Sequence, residues 1–218
     1  MKHLKVLLLL CIVISCKNDK DTLSDKINYL KFTLHNSPRD TSKPILILNL
    51  NQTLDAESLN EISKEVSNFF DIKTSTQQQK VDFTKISTRI QKDTLQYAAD
   101  DFLKYLNIDL ASKNQLCNVA LINIDLYPHN AWNFCYGKAD FDTHCAVVSN
   151  FRLKTNDELI NTIIHEICHT LGLEHCPVTN CIMHAAKDLK ETQLRGNTLC
   201  GLCQKKLNYV LGKNLMEK

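Results

Sequence analysis

His165 and His169 stand four residues apart with Glu166 between them, inside a run whose apolar residues recur at three and four spacing. Leu159, Ile160, Ile163, Ile164, Ile167 and Leu171 form that stripe, so residues 156–172 are expected to be a helix ending at Gly172. Thr155 with Glu158 forms a candidate capping box, with Asn156 as the competing cap. At this spacing both imidazoles leave one helix face a turn apart and can reach a single Zn²⁺ at about 2.0–2.1 Å. Glu166 flanks the same side. Gly172 falls where helices often end in the left-handed conformation, so a loop delivers the next histidine, His175. Three neutral imidazoles leave a fourth position open, as a catalytic rather than a structural zinc requires. HExxH arises by chance in about one chain in a hundred of this length, and the added Gly and His lower that by several hundredfold.

A second cluster begins at once. Cys176 and Cys181, then Cys200 and Cys203, supply two cysteine pairs, and four thiolates match a closed tetrahedral zinc site. Two disulfides are the alternative. As a metal site it would clamp loops and do no chemistry, pinning the loop of His175 and the segment holding Met183 beneath the first ion. Cys117, Cys135, Cys145 and Cys168 remain; Cys135 and Cys145 could close as a disulfide or stay as thiols.

The elements that must position these groups read as a mixed α/β chain. Residues 44–50 and 119–126 are apolar runs expected as strands, with a second strand at 81–86 and another at 145–153. The 145–153 strand is either a core strand or a sheet edge that a peptide could extend. Residues 55–70, 94–106 and 204–211 have helical periods, and Asp55 is an N-cap candidate. Strands alternating with helices point to one domain, a mixed twisted sheet with flanking helices.

The 218 residues, 44% apolar and 23% charged, are enough for one sizeable domain and exclude a disordered or collagen-like chain. Residues 1–15 read as a signal peptide: Lys2 and Lys5 precede an apolar run of about 14 Å, too short to cross a core of about 30 Å. Removing those two lysines leaves 24 cations against 24 anions. Neither that balance nor any Lys/Arg block supplies a nucleic-acid-binding face. Val13-Ile-Ser-Cys16 resembles the lipobox of bacterial lipoproteins, which marks Cys16 for acylation; Cys11, preceded by bulky Leu10, fits worse. Residues 16–42 are then expected as a flexible tether and 43–218 as the folded domain.

HEICHTLGLEHCPVTNCIM, sixteen residues, then CGLC resembles the archaemetzincins, zinc peptidases whose HExxHxxGxxH motif adjoins a four-cysteine zinc site. Asp125-Leu-Tyr-Pro128, Trp132-Asn-Phe134, Tyr136-Gly137 and the segment from Val147 to Arg152 resemble that family's strand, loop and edge strand. The resemblance implies a single metzincin-like α/β (α+β) domain with two Zn²⁺ per chain. His165, His169 and His175 would hold the catalytic ion, and Cys176, Cys181, Cys200 and Cys203 the structural one. Glu166 would be the general base and acid, and Met183 the Met-turn. The expected function is zinc-dependent hydrolysis of peptide bonds, with short peptides as substrates and aminopeptidase activity within its scope. The expected setting is the bacterial cell envelope: a monomer held to the membrane by the Cys16 lipid and binding no nucleic acid. A noncatalytic zinc- or peptide-binding lipoprotein and a zinc hydrolase of some other amide are the alternatives. The extra Cys168 inside the motif departs from the family pattern.

Overall fold

The structure, a computed structural model, describes residues 22–111, 113–129, 132–186, 191 and 195–213. The expected signal peptide, Cys11 and Cys16 lie outside the described residues. No helix among the described residues is long and apolar enough to cross a membrane.

A five-stranded sheet carries the fold. Its strands are β1 (Ile45–Leu50), β2 (Thr74–Gln79), β5 (Cys117–Ile122), β7 (Gly137–Asp140) and β8 (Cys145–Ser149), in the order β2-β1-β5-β8-β7. The first four in that order run parallel, and β7 pairs antiparallel to β8 at the edge. Parallel strands covered on both faces read as unbroken apolar runs, and Ile-Leu-Ile-Leu in β1 shows why. Ile45 and Ile47 face one core, with α2 (Ala56–Phe70) and α4 (Asn156–Thr170); Leu46, Leu48 and Leu50 face the other, with α3 (Ala99–Tyr105). A smaller sheet joins β3 (Thr88–Gln91), β4 (Thr94–Ala98) and β6 (Asp125–Tyr127).

Several expected elements fall elsewhere. The second strand is Thr74–Gln79, and residues 81–86 instead hold a short 3₁₀ turn, Phe83–Lys85, capped by Asp82. β2 is an edge strand with one pairing partner and a mostly exposed surface, so Thr-Ser-Thr-Gln-Gln-Gln carries no apolar alternation to read. The expected 94–106 helix begins as β4, because pairing to β3 and β6 overrides the helical period; only Ala99–Tyr105 is α-helix, followed by a π turn, Leu106–Leu110. The 119–126 run divides between β5 and β6, which lie in different sheets, and β8 stops at Ser149, short of residue 153. β8 is also interior, flanked by β5 and β7, so it is a core strand and the sheet's edges are β2 and β7.

Part of the expected tether is folded. Thr22 and Asp25 form a capping box at the start of α1 (Leu23–His35). The helix docks on α5 (Gly201–Val210), with Phe32 buried edge-on to Tyr209. The buried Lys206 donates to Asn28 Oδ1 at 2.7 Å and lies over the Phe32 ring. The far end of α1 brings His35 and Asn36 to the rim of the cleft described below.

A partly buried ion pair ties β6 to the segment after β8. Asp125, on β6, accepts from Arg152 Nε at 2.6 Å and Nη2 at 2.7 Å, and from Gln96 Nε2 at 2.9 Å. Arg152 also lies over the Phe134 ring at 4.2 Å. Arg152→Ala should strand a buried carboxylate and cost about 2–4 kcal/mol, the lower part of the usual range because the guanidinium is partly exposed. Equilibrium urea unfolding of the variant checks this.

Candidate metal centre and catalytic cleft

Helix α4 starts as its sequence dictates: Thr155 Oγ1 accepts from the Glu158 N–H at 3.2 Å, and the Glu158 carboxylate accepts from the Lys154 N–H at 2.7 Å. Its apolar stripe, centred on the fully buried Ile163 and Ile167, packs against the sheet and α2. That seats His165 and His169 on one flank.

Each imidazole is aimed by its other nitrogen. His165 Nδ1 donates to the Ile182 carbonyl at 2.7 Å and His169 Nδ1 to the Leu173 carbonyl at 2.6 Å, which leaves both Nε2 lone pairs facing inward. Those two Nε2 atoms are 3.0 Å apart. After α4 the chain turns at Gly172, whose φ of +89° places it in the left-handed region, where the Asn36 amide and the Phe141 ring leave no room for a Cβ. The turn brings the His175 ring to 4.7 Å from that of His169 and 5.4 Å from that of His165. The ligand nitrogens of the three lie within 4.8 Å of one another. Burial pulls all three histidines below their ordinary range, His165 well below and His169 to about 4, with the neighbouring cationic forms adding to the effect. Neutral, converging imidazoles fit a Zn²⁺ ion.

Glu166 points to the neighbouring space. It is buried against β7 so closely that a Cβ on Gly137 would stand 2.7 Å from its Cγ and 2.9 Å from Oε1. Burial pushes its carboxyl up to about 8, and Arg195 and Lys138 pull the other way. It stands outside the three-imidazole group.

The four cysteines also converge. The sulfurs of Cys176, Cys181, Cys200 and Cys203 lie within 4.8 Å of one another, and all four are free thiols. Cys176 and Cys200 are 3.7 Å apart, far from a disulfide's length of about 2.05 Å and close to the edge of about 3.8 Å for a tetrahedron with 2.3 Å Zn–S bonds. Hydrogen bonding from Cys203 and from the backbone N–H groups of Cys200 and Met183 lowers the Cys181 thiol, favouring its thiolate. The cluster fits a second zinc. It also holds the turn that carries Ile182 and Met183, both fully buried, since the Cys176 N–H donates to the Met183 carbonyl at 2.8 Å.

The other expected candidates are placed as follows. Cys135 and Cys145 form no bridge: Cys135 pairs with Leu126 and Cys145 with Asp140. Cys168, on α4 itself, is fully buried in the core and lines neither hollow of the cleft, and its thiol is raised by burial. The His184 ring bonds the Cys176 carbonyl at 3.0 Å, which makes it part of the clamp.

Two hollows meet at Gly137, Glu166 and His175. One is an open groove of about 610 Å³ along β7, rimmed by His35, Asn36 and Phe141. The other is a cavity of about 380 Å³ between Trp132, Phe134, Tyr136 and Thr162, with Arg195 in its wall. Arg195 carried no signal in the sequence, being a single arginine in the polar stretch between Met183 and Cys200. Gly137 was legible only as part of the family resemblance.

A helix that carries a histidine pair and a buried carboxylate and packs on this sheet, joined by a loop histidine, defines the class: a zinc-dependent metallopeptidase. Residues 155–209 match Peptidase family M54. An archaemetzincin from Natronomonas pharaonis is 32% identical over 129 residues, covering 51% of this chain and 71% of that protein. Archaemetzincin-2 from Macaca fascicularis is 27% identical over 177 residues, covering 63% of this chain; the chain spans about half, 49%, of that relative's length. The crystal structure of archaemetzincin from Methanopyrus kandleri superposes with a TM-score of 0.67 at 24% identity, covering 81% of this chain and 99% of that one, and shares the fold. The chain belongs to the archaemetzincin family.

Gly137→Ala should leave zinc content intact and displace the Glu166 carboxylate, lowering kcat by about a hundredfold. Metal analysis alongside steady-state peptide cleavage separates the two effects.

Proposed function

We propose that the chain hydrolyses peptide bonds in short peptides laid along β7, with Glu166 as general base and then general acid. His165, His169 and His175 would hold the catalytic zinc. Cys176, Cys181, Cys200 and Cys203 would hold a structural zinc that fixes the turn of Met183. When bound, the catalytic zinc supplies Lewis acidity, polarising a scissile carbonyl and acidifying water. Glu166 takes the proton of the attacking water and returns it to the leaving amine. A carboxylate whose burial raises its pKa is suited to both halves of that transfer, and a cation held by the adjacent imidazoles favours its ionised form. The edge position of β7 supports the substrate pose, since its free side can pair with an extended backbone.

The observation that carries this reading is the convergence of three Nε2-directed imidazoles beside a buried glutamate outside their set. A scaffold that only bound zinc would have no use for that carboxylate. Glu166→Gln should retain two zinc ions per chain and cut no peptide, while the parent cleaves members of a peptide library read by mass spectrometry. Cleavage by the variant would remove Glu166 from the mechanism, and cleavage by neither protein would favour a binding module.

The second part of the proposal is attachment to a bacterial envelope membrane through an acylated Cys16. The lipobox-like Val13-Ile-Ser-Cys16 supports it. So does the outer face of α1, where Leu23, Ile27, Leu30 and Leu34 are 46–81% exposed at helical spacing, with Lys26 and Lys31 on the same helix. Expressed in a bacterium, the full chain should incorporate labelled palmitate and sediment with membranes. Cys16→Ser should lose the label.

A further inference from the structure

Arg195 is in an unusual position for a guanidinium. It lines the smaller cavity together with His165, Glu166 and His175, and its Nε is buried with no hydrogen-bond partner. A buried donor left unmade is costly, and because the side chain as a whole is only partly buried and lines the cavity, the guanidinium's other donors remain available to a ligand there. The carboxylate in that wall is Glu166, whose charge acts on Arg195 but which makes no hydrogen bond to its Nε. Among the described lining residues, Glu166 is also the only acidic one. Outside the metal-site histidines the wall is mostly aromatic or small, with Trp132, Phe134, Tyr136, Ala185 and Ala186, and its other polar side chains are His129, Cys135 and Thr162.

We propose that Arg195 binds a carboxylate of the substrate, so that the cavity selects peptides carrying an acidic group next to the bond that is cut. This rests on the peptidase reading of the site. The guanidinium presents donors in a planar fork that matches a carboxylate bidentately, whereas a neutral amide of the same shape offers one acceptor and a clashing donor pair. The volume of about 380 Å³ accommodates one side chain or a short carboxyl-terminal leaving fragment. The acidic group is therefore either an Asp or Glu side chain or the free terminal carboxylate. Zinc in the neighbouring imidazole site would add positive potential to the same cavity and reinforce the selection.

The test uses the zinc-loaded full chain. One arm compares amidated peptides that differ only by Glu or Gln at each position flanking the scissile bond; the other compares free and amidated carboxyl termini. In at least one arm the acidic member should be cut with a kcat/KM about ten- to a hundredfold higher, mostly through KM. In Arg195→Gln that ratio should fall to about one, and Arg195→Lys should restore part of it. Equal rates in both arms, or a preference that survives Arg195→Gln, would overturn the assignment. If no peptide is cut, the peptidase reading fails and binding decides the question, because the chain's one tryptophan, Trp132, lines the cavity. N-acetyl-glutamate amide should then shift Trp132 fluorescence where N-acetyl-glutamine amide does not, and Arg195→Gln should abolish the difference; its absence in the parent overturns the proposal.

Discussion

The site depends on two backbone carbonyls. Ile182 and Leu173 each accept a hydrogen bond from the Nδ1 of a cleft histidine, and those bonds settle which nitrogen of His165 and His169 faces inward. Helix geometry alone brings the rings to one flank but leaves them free to rotate or to offer the protonated nitrogen. The carbonyls remove that freedom, and burial keeps the rings neutral.

The carbonyls must themselves be held, which explains the adjacency of the two clusters. His175 and Cys176 are consecutive, so one short loop serves both groups of ligands. The Cys176 N–H bonds the Met183 carbonyl, the Ile182 N–H bonds the Thr198 carbonyl, and the His184 ring bonds the Cys176 carbonyl. A tetrahedral cysteine site at the base of this loop would fix the carbonyl that orients His165 without presenting an open coordination position. On the opposite side Gly137 lets β7 approach Glu166 to van der Waals distance, so the edge strand of the sheet also confines that carboxylate.

What was legible in the sequence is what local spacing encodes. The His165–His169 interval, Gly172 and the apolar run of β1 carry strong local patterns, and the structure places them accordingly; the cysteine spacing leaves disulfides open, and the 119–126 and 145–153 runs extend past the ends of β5 and β8. The parts missed have no such pattern. Thr74–Gln79 is a strand because β1 offers it backbone partners, not because of its side chains. Thr94–Ala98 has a helical period but is claimed by pairing to β3 and β6. The helix α1 is held by the buried Phe32 and by Lys206, which lies 178 residues from its partner Asn28, and long-range closure of that kind cannot be read from a polar, turn-rich neighbourhood. Arg195 is likewise significant only through the cavity wall that the fold builds around it.

The central claim is that three imidazoles grip one ion through Nε2 while Glu166 stays off it. Anomalous diffraction at the zinc edge from crystals of the zinc-loaded protein tests this most directly. The expected map has one peak at about 2.0–2.1 Å from the Nε2 atoms of His165, His169 and His175, with both Glu166 oxygens beyond bonding distance, and a second peak among the four cysteine sulfurs. A map with zinc at the cysteines alone, or with a Glu166 oxygen as ligand, would contradict it.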